Sequence, residues 1–171
     1  MEGLRKSLRA IDAINEWIAK IVSWVVLIII AVTAYEVVMR YAFNAPTQWV
    51  FEFDYLVHGA YFMLLGSYTL AVKGHVNVDI IYQRFKPRTR ALLDLLTAPM
   101  FYFFMTMMFW MGGKFALNAV AMKETLSSAW APPIYPFKLV IPFAAAMVIL
   151  QGTAKLIRDL HLVLTGREGE L

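Results

Sequence analysis

Apolar residues gather in long runs along this chain, separated by short stretches where polar residues and prolines concentrate. Four runs stand out, at about 17–39, 49–72, 92–112 and 136–157. The first holds Ile21-Val22-Ser23-Trp24-Val25-Val26-Leu27-Ile28-Ile29-Ile30-Ala31-Val32, without a charged residue. Each run approaches the roughly 20 residues a helix needs to cross the hydrocarbon of a bilayer. Helices are expected because backbone groups in lipid must bond within their own segment, and no ten-residue alternating strand pattern occurs. The predicted fold is an all-α integral membrane protein, a single membrane domain over 1–171 with four transmembrane helices.

Two segments carry a different pattern. Leu4, Leu8, Ile11, Ile14 and Ile18 recur at three- and four-residue spacing, while Arg5, Arg9, Asp12 and Glu16 occupy other faces. The spacing predicts an amphipathic interfacial helix over about 3–16, lying on the membrane before the first span turns in. Between the second and third runs, Val76, Val78, Ile80, Ile81 and Phe85 interleave with polar residues until Pro87 stops the segment. It reads as a second interfacial segment whose bases meet anionic headgroups, or as a solvated turn.

Composition narrows the class. Of 171 residues 60% are hydrophobic and 16% charged, more apolar surface than a soluble fold of this size can bury. With no cysteine, disulfide catalysis, thiolate metal sites and cysteine-ligated iron–sulfur clusters are excluded. The net charge of +4 points to membrane topology rather than nucleic acid, since the bases flank the spans. Of the 16 Lys and Arg residues, only Arg40, Lys114, Lys123 and Lys138 fall on one side. The other 12 lie in the N-terminal segment, the middle loop and the C-terminal end, which places both termini in the cytoplasm. Arg5, Lys6 and Arg9 sit in an amphipathic segment rather than before a short apolar core, so no cleavable signal peptide is expected.

Ionisable groups near or within the first two spans are the first candidates for chemistry: Glu36, Arg40, Glu52, Asp54 and His58. Glu36 and Arg40, four apart, share a helix face and can pair. Glu52 and Asp54 open the next helix, where carboxylates favour the positive end of the helix dipole. Asn44 and Pro46 suit the turn between them. Arg40, Asn44, Trp49 and Glu52 therefore form the candidate clamp that positions the first two spans. A proton relay is the alternative, set against by the cluster's place at the outer edge rather than the midplane. His58 enters the second span too far from His75 and His161 to share a haem with either, so a hydrogen bond to a neighbouring helix is expected instead.

The loop before the fourth span carries Trp130, Pro132, Pro133 and Tyr135, with Pro136 following. Its prolines forbid continuous helix, and its two aromatic rings suit the headgroup level. It reads either as a membrane anchor or as a shaped outer surface that docks a periplasmic or membrane partner. The third span is crowded with Met100, Met105, Met107, Met108 and Met111 among phenylalanines, soft side chains suited to irregular gaps or to lipid. Gly59, Gly66, Gly112, Gly113 and Gly152 mark possible close helix contacts. No phosphate-binding loop, nucleophile triad, metal-ligand spacing or inverted repeat with broken helices is visible. The chain is expected to be no enzyme and to hold no cofactor or metal.

Taken in order, several runs carry a resemblance. Arg40-Tyr41-x-Phe43-Asn44-x-Pro46-x-x-Trp49-x-x-Glu52 resembles the first hairpin of the small membrane subunit of tripartite ATP-independent periplasmic (TRAP) transporters. So do Gly74-His75-Val76-x-Val78-Asp79, Pro87-Arg88-x-Arg90-Ala91-x-Leu93-Asp94, Trp130-x-Pro132-Pro133-x-Tyr135-Pro136-x-Lys138 and Gln151-Gly152. One departure is Phe51 before Glu52, where the family often has two adjacent acidic residues. The resemblance implies a bacterial inner-membrane scaffold that braces a large multi-span subunit. That subunit would hold the sodium and substrate sites and move the solute by an elevator-type motion. A periplasmic solute-binding protein would deliver a carboxylate-type solute, and this chain would help dock it. The competing expectation is a membrane anchor subunit of a respiratory oxidoreductase. A self-sufficient homodimeric exporter is a third, weakened by the lack of a midplane carboxylate.

Overall fold

The computed structural model describes residues 2–72 and 85–166, and over these the chain is helical apart from its loops. In chain order the helices are α1 (Glu2–Ser23), α2 (Val25–Tyr41), α3 (Val50–Ala71), α4 (Pro87–Ala121) and α5 (Tyr135–Thr165). No strand occurs among the described residues, only an isolated antiparallel bridge between Thr125 and Pro133. The expected second interfacial segment, from Val76 to Ile81, and His75 lie outside the described residues.

Three helical stretches are long and apolar enough to cross a membrane: Arg5–Tyr41, Pro87–Ala121 and Tyr135–Thr165. The helix over the second predicted span, α3, matches its expected bounds to within a residue and is long enough at about 33 Å. Glu52, Asp54 and His58 in its first half keep its hydropathy below that of the other three. Two other helices, α4 and α5, outrun the apolar runs that revealed them. α4 has 35 residues and α5 has 31, about 52 and 46 Å, so each continues past the hydrocarbon it could span. Hydropathy marks where lipid would be, whereas backbone bonding decides where a helix stops.

α5 is the central helix, packed most extensively on α4, then on α3, and touching α1. Contacts between α4 and α5 run in opposite directions along the two chains. Lys138 lies over the Phe115 ring, Ile141 faces Gly112, Phe101 faces Gly152, Tyr102 bonds Thr153, and Arg88 bonds the Val163 carbonyl. Most buried residues of these two helices are small: Ala91, Ala116 and Ala119 in α4, and Ala144, Ala145, Gly152 and Ala154 beside the larger Met147 and Gln151 in α5. Small side chains let two backbones approach closely where lipid supplies no hydrophobic drive. Of the five glycines singled out in the sequence, Gly112 and Gly152 sit at such approaches. A Cβ on Gly66 would meet only ordinary contact, and Gly59 and Gly113 face open space.

The N-terminal segment departs from expectation in an instructive way. α1 runs through residues 16 and 17 without a break and gives way to α2 only at Trp24. There the N–H of Trp24 reaches the carbonyl of Ile21, and that of Leu27 reaches the carbonyl of Trp24, a single tight turn. The face α1 turns inward is Leu8, Asn15, Ala19 and Val22, all nearly fully buried, whereas Ile14 and Trp17 stay exposed. Its polar residues explain the choice. Asn15 donates to Gln151 (2.7 Å), Gln151 donates to Asp12 (2.9 Å), and Arg158 pairs with Asp12. The amphipathic pattern thus serves a polar seam with α5 as well as an apolar one.

Candidate functional site

One end of the bundle carries the 42–49 loop between α2 and α3 and the 122–134 loop between α4 and α5, and here the sequence-predicted residues converge. α2 ends at Tyr41, and the chain reverses through Asn44, which adopts φ +50°. Asparagine tolerates this left-handed conformation better than most residues. The turn lets the Ala45 N–H reach back to the Met39 carbonyl at 3.0 Å.

Glu36 closes the hairpin. Its Oε1 accepts from Arg40 Nε (3.0 Å) and Nη2 (2.6 Å), while its Oε2 accepts from the backbone N–H (3.1 Å) and the hydroxyl of Thr47. Arg40 thus pairs with its own helix, not with Glu52 across the hairpin. Glu52, in the first turn of α3, accepts instead from the Ser128 hydroxyl at 2.8 Å. Trp49 stands at the N-cap of α3 with its ring among Tyr35 (6.3 Å between centroids), Phe53 (6.1 Å) and Trp130 (6.2 Å).

The second loop is folded on itself. The Leu126 N–H bonds the Pro132 carbonyl, and the Ile134 N–H bonds the Glu124 carbonyl. Lys123 and Ala131 both adopt positive φ, and the Ala131 N–H is held by the Ser128 hydroxyl. Lys138, from the first turn of α5, pairs with Glu124 at 2.5 Å while its ammonium sits 3.9 Å from the centre of the Phe115 ring. Pro132 is buried under this network, whereas Pro133 and Trp130 are exposed and Tyr135 is half-buried.

The two groups of residues read from the sequence as separate, a clamp and an outer surface, are therefore one structure, a cap over this end of the bundle. Trp49 against Trp130 and Glu52 with Ser128 tie the hairpin to the second loop. Glu36, read from the sequence as a partner of Arg40 but not as part of the clamp, belongs to it, and so do Thr47, Tyr35 and Ser128, which escaped the sequence reading. The four-residue spacing of Glu36 and Arg40 was the one local signal, and the other three have none. Asp54, deeper in α3, accepts from Thr33 of α2 at 2.6 Å with one oxygen and has no partner for the other. His58 is exposed, its ring beside Phe62 and Tyr61 of its own helix. Among the described residues no three His, Asp or Glu side chains gather as a metal site.

By fold this is a helical membrane protein whose charged groups at both ends hold its own helices and loops to one another. Its family is defined by a model for tripartite ATP-independent periplasmic transporters, DctQ component, which matches residues 29–162. The chain belongs to this family, the small permease component of a tripartite transporter, and the family is a transporter component rather than an enzyme family. The match takes in α3, α4, both loops of the cap and nearly all of α2 and α5, and begins after α1. No curated protein matches the chain.

Proposed function

We propose that this chain is the static brace of a TRAP-type secondary transporter in a bacterial inner membrane. It lies with both termini in the cytoplasm and the tied cap facing the periplasm. α3 crosses the bilayer as the fourth span, its acidic first half sheltered by α2 and by the second loop. The large permease subunit does the transport, coupled to a sodium gradient, and the solute is of the carboxylate type. This chain holds no cofactor and no substrate site of its own.

The observation that carries the reading is the cap. A brace must keep its outer surface fixed while its partner moves, and here two loops that nothing in the chain's order brings together are joined by two tryptophan rings in tilted contact and by a carboxylate–hydroxyl bond. Such bonds at a membrane surface restrict loops that would otherwise be the most mobile part of the protein. An ordered, partly apolar surface is also what a periplasmic solute-binding protein needs for brief docking. The flank of α4 with Met100, Phe103, Met107 and Trp110 is largely exposed and offers the adaptable surface that a large helical partner can cover. The anchor-subunit alternative gains nothing from His58, which lies on the outside of α3.

A photocrosslinker at the exposed Pro133, in membranes that are actively transporting, tests the docking part of this reading. Capture of the solute-binding protein is the expected result. Steady uptake with no such capture, at Pro133 and again at Trp130, contradicts it.

A further inference from the structure

Two largely apolar grooves, of about 680 and 510 Å³, open on the face where α3, α4 and α5 meet. Phe62 and Met63 line both, so one groove continues the other from the cap toward the opposite end of the bundle. Lys138 stands in the first and Lys155 in the second, 17 residues and so about 26 Å apart along α5. That is close to the roughly 30 Å of a bilayer's hydrocarbon. Both ammonium groups are already held within the chain, Lys138 by Glu124 and Lys155 by Asp94 and Asp159. The α3 wall is indented. A Cβ on Gly59 would meet nothing within 4 Å, and one on Gly66, two turns on, would meet only Val148 at 3.8 Å.

His58 lines the cap-side groove and is exposed. It lies eight residues beyond Val50, about 12 Å along α3, which is within the hydrocarbon when α3 crosses a bilayer. Its ring touches Tyr61 and Phe62 of its own helix, and among the described residues nothing hydrogen-bonds it. An imidazole facing hydrocarbon without a partner is costly, and polar side chains of membrane helices bond across to a neighbouring helix. An acyl chain has no polar atom to offer His58, and lipid headgroups sit at the ends of the groove, where the charges are already paired. A helix fills the whole length and can carry a hydroxyl or amide at the depth of His58. We propose that one transmembrane helix of the large permease subunit lies in this double groove and hydrogen-bonds His58. The inference rests on the bracing role and gives that role its contact surface. The partner's backbone comes closest over Gly59 and Gly66, where this chain has no side chain in the way.

Photocrosslinkers at Tyr55, Met63 and Met105 of the tagged full chain, in its native membrane, test this. Met107 serves for comparison, since two residues on from Met105 it faces the opposite side of α4, at about 200°. The expected result is an adduct with the permease from all three groove positions. His58→Phe keeps a ring and loses the bond, and should lower the permease recovered with the chain roughly threefold, the worth of one hydrogen bond between membrane helices. His58→Gln can still bond and should keep that recovery. Gly59→Leu fills the groove at a position with room for a side chain, and should lower recovery roughly tenfold with the chain's level in the membrane unchanged. Permease captured at Met107 and at none of the three groove positions overturns the proposal and leaves the brace standing. Lipid or a second copy of this chain captured there instead of permease overturns it too, as does undiminished recovery in both His58→Phe and Gly59→Leu. Permease missing from the adducts and from the purified material alike removes the bracing role, and the groove's occupant with it.

Discussion

Glu36 uses both carboxylate oxygens, one for Arg40 on its own helix and one for Thr47 beyond the turn, and so a helix end and a loop share one anchor. An exposed ion pair of this kind contributes little by itself, so the consequence of losing it is local rather than global. Glu36→Ala leaves the Thr47 N–H without its acceptor, and amide exchange at Thr47 should quicken roughly tenfold while exchange in the middle of α5 is unchanged. Unaltered exchange at Thr47 in that variant would contradict the closure described here.

Gly152 makes the opposite kind of contribution, through what it lacks. A Cβ there would lie 2.6 Å from the Phe101 ring. Alanine gains about 1 kcal/mol of helix propensity over glycine, but forcing an extra carbon into a packed seam costs about 1–3 kcal/mol. Gly152→Ala should therefore lower the melting temperature, and Phe101→Leu in the same chain should restore part of the loss. A Gly152→Ala protein that melts higher than the original would mean the α4–α5 seam is looser than the structure shows.

Among the elements, α1 and α5 show how far a polar seam can override a hydrophobic pattern. Asn15 and Gln151 are both nearly fully buried and bonded to each other, with Asp12 and Arg158 extending the chain of bonds. Removing one partner strands the other, yet side-chain hydrogen bonds between membrane helices are worth only about 0.6 kcal/mol on average and rarely reach 2. A double-mutant cycle on Asn15→Ala and Gln151→Ala should give a coupling of about 0.5–2 kcal/mol in detergent unfolding. Coupling indistinguishable from zero would show that the two amides are buried without depending on each other.

The same elements mark what the sequence could and could not reveal. Existence and type of the helices were legible from apolar run length, and α3 falls within a residue of its expected bounds although Glu52, Asp54 and His58 interrupt its apolar run. The ends of α4 and α5 were not legible, because the helices continue past their apolar runs: α4 begins at Pro87 and is capped at Met122, and α5 continues to its left-handed cap at Gly166. The inward face of α1 was misread for a related reason. Asp12 was assigned with Arg5, Arg9 and Glu16 to faces away from the apolar stripe, and its partners Gln151 and Arg158 lie more than 130 residues away. Of the candidate site, Arg40, Asn44, Trp49, Glu52 and Trp130 fall within one cap, and Pro132 is buried beneath it. Their pairing was hidden, since Glu52 turns to Ser128 rather than to Arg40.

At the scale of the whole molecule, the chain is a bundle tied at both ends, by the cap at one and by the Asp12–Arg158 and Asp94–Lys155 pairs toward the other. Between the ties, α4 exposes a broad apolar flank rich in methionine and phenylalanine. This arrangement suits a part that holds its shape beside a larger moving one, and membership of the tripartite transporter family supplies that larger part. The central claim is that the chain exists as the bound partner of a large permease. Isolation of the tagged full chain from its native membrane in mild detergent, with quantitative mass spectrometry of what accompanies it, tests this directly. The account predicts a many-span permease in equal amount. Recovery of the chain with haem- or flavin-bearing subunits and no permease would contradict it.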